Sequence, residues 1–289
     1  REYIDAYTAQ HRHADARRIA ALQTPVGLPG QDLESRYYEA SLPLDQGDWQ
    51  AAMKALDGLS ADGREAKVSA ETLANVELMA LTLRAYAPDA AFKAELDAWT
   101  DLQVDRLEKA GALLRRQAIF HVLAGAWMSA HTGDTARARA LLAGVEGEEQ
   151  ARLYPANAAM IRVVQAEIAL TEGRPSDAVA LLGDDHDRGE GIYFSRAVLV
   201  RALAAVGDRP QAARVAGWMV ENRGVAFGEP TYNWGWQLAN VAESMLALRA
   251  VVRLSEPGSP EGASAGQAFE KAWPGGGDLP QVKRRDAAL

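Results

Sequence analysis

Apolar residues recur three and four positions apart along most of this chain, the spacing of a single helical face. The clearest run is Trp234, Leu238, Val241, Met245, Leu248 and Val252, which steps by 4, 3, 4, 3 and 4. The periodicity predicts a leading helix over 2–21, closed by Pro25, Gly27, Pro29 and Gly30. Five antiparallel helix pairs are expected next, at 32–45/48–58, 67–87/89–110, 112–132/134–146, 157–172/175–183 and 191–206/208–222. A last long helix is expected over 231–254, covering the exposed apolar flank at the end of the array. Past Pro257 the composition turns to Gly, Pro, Ser and Ala, which reads as a linker or loose tail. One short helix over 265–273 could fold back there through Phe269 and Trp273. The expected division is an N-terminal helix and linker over 1–30, a repeat domain over 31–255 and a tail over 256–289.

Four segments share one pattern: Gly47-Asp48-Trp49 with Ala52 and Leu56, Gly133-Asp134-Thr135 with Ala138 and Leu142, Gly173-Arg174-Pro175 with Ala178 and Leu182, and Gly207-Asp208-Arg209 with Ala212 and Ala216. The glycine supplies the positive φ that ends one helix. An Asp after it can cap the next, and Pro175 and Pro210 fall in a first turn, where a missing N–H costs nothing. The alanine and the residue four beyond it share a face and permit a close crossing. Seven residues before each glycine stand Ala40, Ala126, Ala166 and Val200, mostly small as well. The glycines at 133, 173 and 207 are 40 and 34 residues apart, and the gap from 47 to 133 equals two units of 43. A further bend is therefore expected near Pro88-Asp89.

This pattern resembles the tetratricopeptide repeat, whose turn glycine, following aromatic and second-helix alanine are matched best by Gly47, Trp49 and Ala52. The resemblance covers residues 32–222 at most. It departs from the family in its longer units, in Pro43 late in a first helix and in the absence of a turn glycine over 60–110. It implies an all-α, right-handed α–α superhelix of about five pairs with a terminal capping helix. It also implies a concave groove that takes an extended peptide or a partner's helix.

Composition agrees and narrows the chemistry. Ala, Leu, Glu and Arg, all good helix formers, are abundant, while Ile is sparse and no stretch alternates as a strand would, so nothing reads as a sheet. With 31 basic and 39 acidic residues the formal charge is −8, which repels phosphate backbones and disfavours nucleic acid as a partner. Lys283-Arg284-Arg285 is too short a basic cluster to reverse that. The absence of cysteine excludes disulfides, thiolate nucleophiles and thiolate zinc sites. No apolar run approaches the ~18 residues of a membrane span, and no signal peptide is visible. The chain begins with Arg1 and so reads as a processed or excised piece of a longer protein. A soluble, cytoplasmic setting is favoured over a periplasmic one, and the Ala/Arg/Gly-rich composition points to a bacterial source.

Candidate chemistry is thin. On a continuous helix His11 and His13 point about 200° apart and cannot share a metal. His121 and His131 lie about three turns apart on one helix, too far to cooperate. The segment Asp184–Glu190 is rich in oxygen ligands, but it lacks the alternating spacing of a calcium loop and reads as a charged inter-repeat loop. No catalytic residue, metal site or cofactor is assigned.

The groove expected from the resemblance would be lined six residues before the turn glycines by Ser41, Trp127, Glu167 and Arg201, with Tyr37 one turn earlier. An aromatic anchor beside charged residues is what binding hot spots use; the plainer reading places Trp127 in the inter-repeat core. On that basis Arg201→Glu would weaken partner binding and leave the melting curve nearly unchanged. A second patch is expected at Tyr232, Asn233 and Trp236, with Trp234 on the buried stripe and Trp236 turned away from it. The expected function is a non-catalytic protein- or peptide-binding scaffold, the repeat module of a larger regulatory or signalling protein. A small-molecule sensor and an all-α enzyme using paired carboxylates are the alternatives.

Overall fold

The computed structural model describes residues 2–187, 191–229 and 234–289. Every regular element among them is helical and none is a strand. No helix among the described residues is long and apolar enough to cross a membrane.

The four shared bends carry the architecture. Gly47, Gly133, Gly173 and Gly207 all adopt positive φ, between 74° and 100°. Asp48, Asp134 and Asp208 each accept a backbone N–H three residues on, from Ala51, Arg137 and Gln211, and Pro175 opens the helix after Gly173. The residues expected to pack on either side of the bends are buried throughout: Ala40, Ala126, Ala166 and the larger Val200 before them, Ala52, Ala138, Ala178 and Ala212 after. A bend without glycine sits at Pro88-Asp89 as spacing requires, where Asp89 caps Phe92–Lys109 through the N–H groups of Ala91 and Phe92.

The residues form two compact units, one from 1–83 with 217–287, the other from 84–216 with 288–289. The expected boundaries at residues 30 and 255 coincide with neither. In the second unit, Ala112–His131 packs on Phe92–Lys109, on Thr135–Ala143 and on Pro155–Thr171. Pro155–Thr171 then packs on Pro175–Asp187 and on Tyr193–Ala205. The interior helices have neighbours on more than one side, so Ile119 through Ala130 are buried without interruption.

The first unit departs further from expectation. Its leading helix is two helices, Glu2–Ala9 and His13–Ala20. His11 takes a positive φ of 56°, and the Arg12 N–H closes onto the Tyr7 carbonyl, a left-handed termination in a position that glycine normally fills. Ile4, Ala16, Ala20 and Leu42 then form a small core with Tyr7, Ile19 and Tyr38 against it.

Gln237–Leu254 is not a one-faced cap. Tyr38–Asp45, Arg223–Gly228, Pro260–Ala272 and Pro280–Ala287 all pack on it, and Asn240, Glu243 and Ser244 are buried along with its apolar stripe. The tail is folded, not loose. Ser259 caps Pro260–Ala272 through the Gly262 N–H, and Phe269 and Trp273 are buried. Arg285 donates to Glu243 at 2.5 Å, and Arg249 donates to Asp286 at 2.9 Å, tying down the polar last helix. At Gly47 the Trp273 ring lies so close that a Cβ would sit 3.0 Å from its Cγ.

Glycine conformation gives a paired prediction. Gly133→Ala meets no neighbour but must hold φ at 100°, so stability should fall by about 1 kcal/mol. Gly58→Ala, on an open helical surface within Trp49–Glu65, should raise it by about 1 kcal/mol. Urea denaturation of both variants checks the contrast, and equal effects would remove the role assigned to the left-handed bend.

Candidate functional site

Spacing places Trp127, Glu167 and Arg201 at one register of the first helices of successive repeats, and the structure brings all three together inside the second unit. Glu167 is only 2% exposed. Its Oε1 accepts from Arg201 Nη1 at 2.8 Å and from His131 Nδ1 at 2.9 Å. Its Oε2 accepts from Trp127 Nε1 at 3.1 Å and from Arg201 Nη2. Both lone pairs of each oxygen are thus used. The Trp127 ring stacks on His131 at 4.8 Å and meets the edges of Phe194 and Tyr86. Burial alone would raise the Glu167 carboxyl, but the Arg201 and His131 charges and hydrogen bonds outweigh it and hold the group well below the usual carboxylate range.

These side chains therefore face one another within the packed helices and do not line an open groove. Tyr37 and Ser41, which belong to the first unit, are buried as well. Positions six and seven residues before a bend are 100° apart on a helix, and a helix with neighbours on two sides buries both. The same geometry changes the expectation for Arg201→Glu, which would set a second carboxylate against a buried one and destabilise the fold.

In the second patch, Tyr232 and Asn233 lie outside the described residues. Trp236 is fully buried, and Trp234 is only partly so, the reverse of expectation. Trp234–Trp236 is a 3-10 turn, so the 100° step of Gln237–Leu254 does not extend back through it. Of the oxygen-rich segment, Asp184 and His186 lie in the helix Pro175–Asp187, not in a loop, and residues 188–190 lie outside the described residues.

A second polar cluster, in the first unit, was not legible as a site. Asp45 is fully buried at the end of Tyr38–Asp45. His13 Nε2 lies 2.7 Å from its Oδ2, and Arg223 Nη2 donates to its Oδ1. Trp273 Nε1 donates to the Asp45 carbonyl at 3.1 Å. Arg223 also donates to the Thr8 and Ala9 carbonyls and, at 3.3 Å, to His11 Nδ1 and to Ser244 Oγ. The break at His11 is what turns both histidines toward Asp45, against the expectation that they point apart. Burial, reinforced by the Arg223 charge, pushes His11 down to about 3 and His13 down to about 4, so both rings are neutral at pH 7.

His11 and Arg223 also border a cleft of about 680 Å3 whose wall carries Glu2, Asp5 and Glu221 beside Val220 and Phe227. Among the remaining histidines, His121 is buried against the edge of Trp99, and burial with the Arg106 charge pushes it down to about 3.

Compared with protein-family models, curated proteins and solved structures, the chain gives no match.

The Glu167 network yields a signed pH prediction. A carboxyl depressed in the folded state contributes stability that is complete above its unfolded value, near 4.5, and is lost as pH falls below it. Glu167→Gln leaves Arg201 buried without its counter-charge and should cost about 3 kcal/mol at pH 7. Its urea stability should also fall less steeply between pH 5 and pH 3 than that of the parent. Parallel pH curves for the two proteins would show that the carboxylate charge is not what the network holds.

Proposed function

We propose that this chain is a tetratricopeptide-like helical-repeat module that binds a partner protein or peptide and does not itself catalyse a reaction. The observation that carries the reading is the recurrence of one bend four times at related spacing: a left-handed glycine, a capped or proline-started second helix with a buried alanine, and a buried alanine or valine before the bend. Units of this kind stack on their neighbours in right-handed superhelices, which expose long surfaces suited to partners. The network around Glu167 supports the same reading, since it binds successive first helices at one register.

With the expected inner positions buried, partner contacts fall on exposed side chains. Leu113 is 83% exposed and Leu153 68% exposed. They lie where Glu149–Leu153 meets the start of Ala112–His131, a junction held by Gln150 on the Ala112 carbonyl. Large apolar side chains this open are what a partner would cover. The small-molecule alternative rests on the cleft beside Phe227, whose volume suits a drug-sized ligand.

The test uses the parent and a Leu113→Ser, Leu153→Ser double variant as baits against lysate of the source organism. A protein that co-purifies stoichiometrically with the parent, and binds the variant at least about tenfold more weakly by calorimetry, supports the reading. Absence of any stoichiometric partner would remove the function. Equal affinity for both baits would remove the surface.

A further inference from the structure

We propose that His11, His13 and Asp45 form a binding site for a divalent transition-metal ion of the zinc type, entered from the acidic cleft of the first unit. This stands whether or not the chain binds a protein partner.

The argument begins with hydrogen-bond roles. Arginine has no acceptor atom, so the Arg223–His11 contact makes His11 Nδ1 an acceptor with its lone pair in the ring plane. His13 Nε2 is the donor to Asp45 Oδ2 at 2.7 Å, since a buried carboxylate paired with arginine only accepts. Asp45 Oδ2 stands 3.5 Å from His11 Nδ1, too far for a good hydrogen bond and with electron pairs on both atoms. The Glu167 carboxylate has four donors on its two oxygens, whereas Asp45 Oδ2 has one donor and an imidazole lone pair across from it. A cation resolves that juxtaposition. One atom each from His11, His13 and Asp45 lies within 4.8 Å of the others. Ligand bonds of about 2.0–2.2 Å place tetrahedral ligand atoms roughly 3.4 Å apart, so shifts on the order of 1 Å suffice.

Two imidazoles and a carboxylate are the donor set of zinc and its neighbours, and they leave at least one coordination position for water or a ligand. Binding replaces the Nε2–H bridge of His13 with the ion, and the neutral ring's one proton passes from Nε2 to Nδ1 by exchange with solvent. Arg223 releases only its long contact to His11. It keeps Asp45 Oδ1 and the Thr8 and Ala9 carbonyls, the outer position from which a ligating carboxylate is oriented. Its charge opposes a second cation. The cleft supplies the compensation, since Glu2, Asp5 and Glu221 line the approach on which His11 lies. The left-handed backbone at His11 is a local cost that glycine would avoid, and the ring it carries stands across from Asp45.

The experiment titrates Co2+ and then Zn2+ into the full chain after chelator treatment, reading visible ligand-field absorption and Tm. One equivalent of Co2+ should give tetrahedral bands that Zn2+ abolishes, and Zn2+ should raise Tm. His13→Ala should weaken binding at least about tenfold. His11→Gly should do the same while leaving the metal-free Tm at or above the parent's, because glycine suits the backbone there, so loss of ligation is read apart from loss of fold. Absence of bands and of a Tm rise in the parent would overturn the site. So would His11→Gly and His13→Ala variants that bind as tightly as the parent, which would place the metal on surface carboxylates.

Discussion

A carboxylate taken out of water must find donors for its lone pairs or cease to be charged, and in each unit of this protein such a carboxylate gathers side chains from several helices. Glu167 is met by Arg201, His131 and Trp127; Asp45 is met by Arg223 and His13, with Trp273 on its carbonyl. The cast is the same in both: a guanidinium that supplies the charge, an imidazole, and an indole N–H that brings a large apolar ring with it. Such pairs add little net stability over apolar packing of equal volume, because desolvation consumes most of the Coulomb gain. Their effect is on selection. An arrangement that separates Glu167 from Arg201 strands a buried charge, so alternative registers of these Ala-rich helices are penalised far more than the native one is favoured.

That selection is needed because the packing surface is bland. Ala40, Ala52, Ala126, Ala138, Ala166, Ala178 and Ala212 allow close approach but distinguish poorly between one sliding position and the next. The left-handed glycines fix where each helix ends, and the polar networks fix how neighbouring helices line up. Local and long-range determinants are thereby divided between different residue types.

The division explains what the sequence discloses. Bends are local: glycine, a capping Asp and a following Ala occupy fixed offsets, so all four bends and the one at Pro88-Asp89 were legible. The register of Trp127, Glu167 and Arg201 was legible too, because repetition places equivalent positions side by side. Whether that register faced solvent was not legible, since burial depends on how many neighbours a helix has. The first unit was the least readable. Its Asp45–Arg223 contact spans 178 residues, and no periodicity relates those positions. The tail misled through composition: Gly and Pro are abundant there, yet Pro260 starts a capped helix, and Phe269 and Trp273 supply enough apolar area to fold it back.

The break at His11 shows how far one backbone angle reaches. On an unbroken helix two histidines two residues apart face opposite ways, and no polar cluster forms. A single left-handed residue ends Glu2–Ala9, exposes the Thr8 and Ala9 carbonyls to Arg223 and turns both rings toward Asp45. Those carbonyls are orphans of a helix end, and Arg223 satisfies them with the same guanidinium that neutralises Asp45. The end of Glu2–Ala9 and the burial of Asp45 are therefore served by one side chain. In the second unit the shared bends at Gly133, Gly173 and Gly207 are made by glycine, while Glu167 and Arg201 lie inside their helices, so the two tasks fall to different residues.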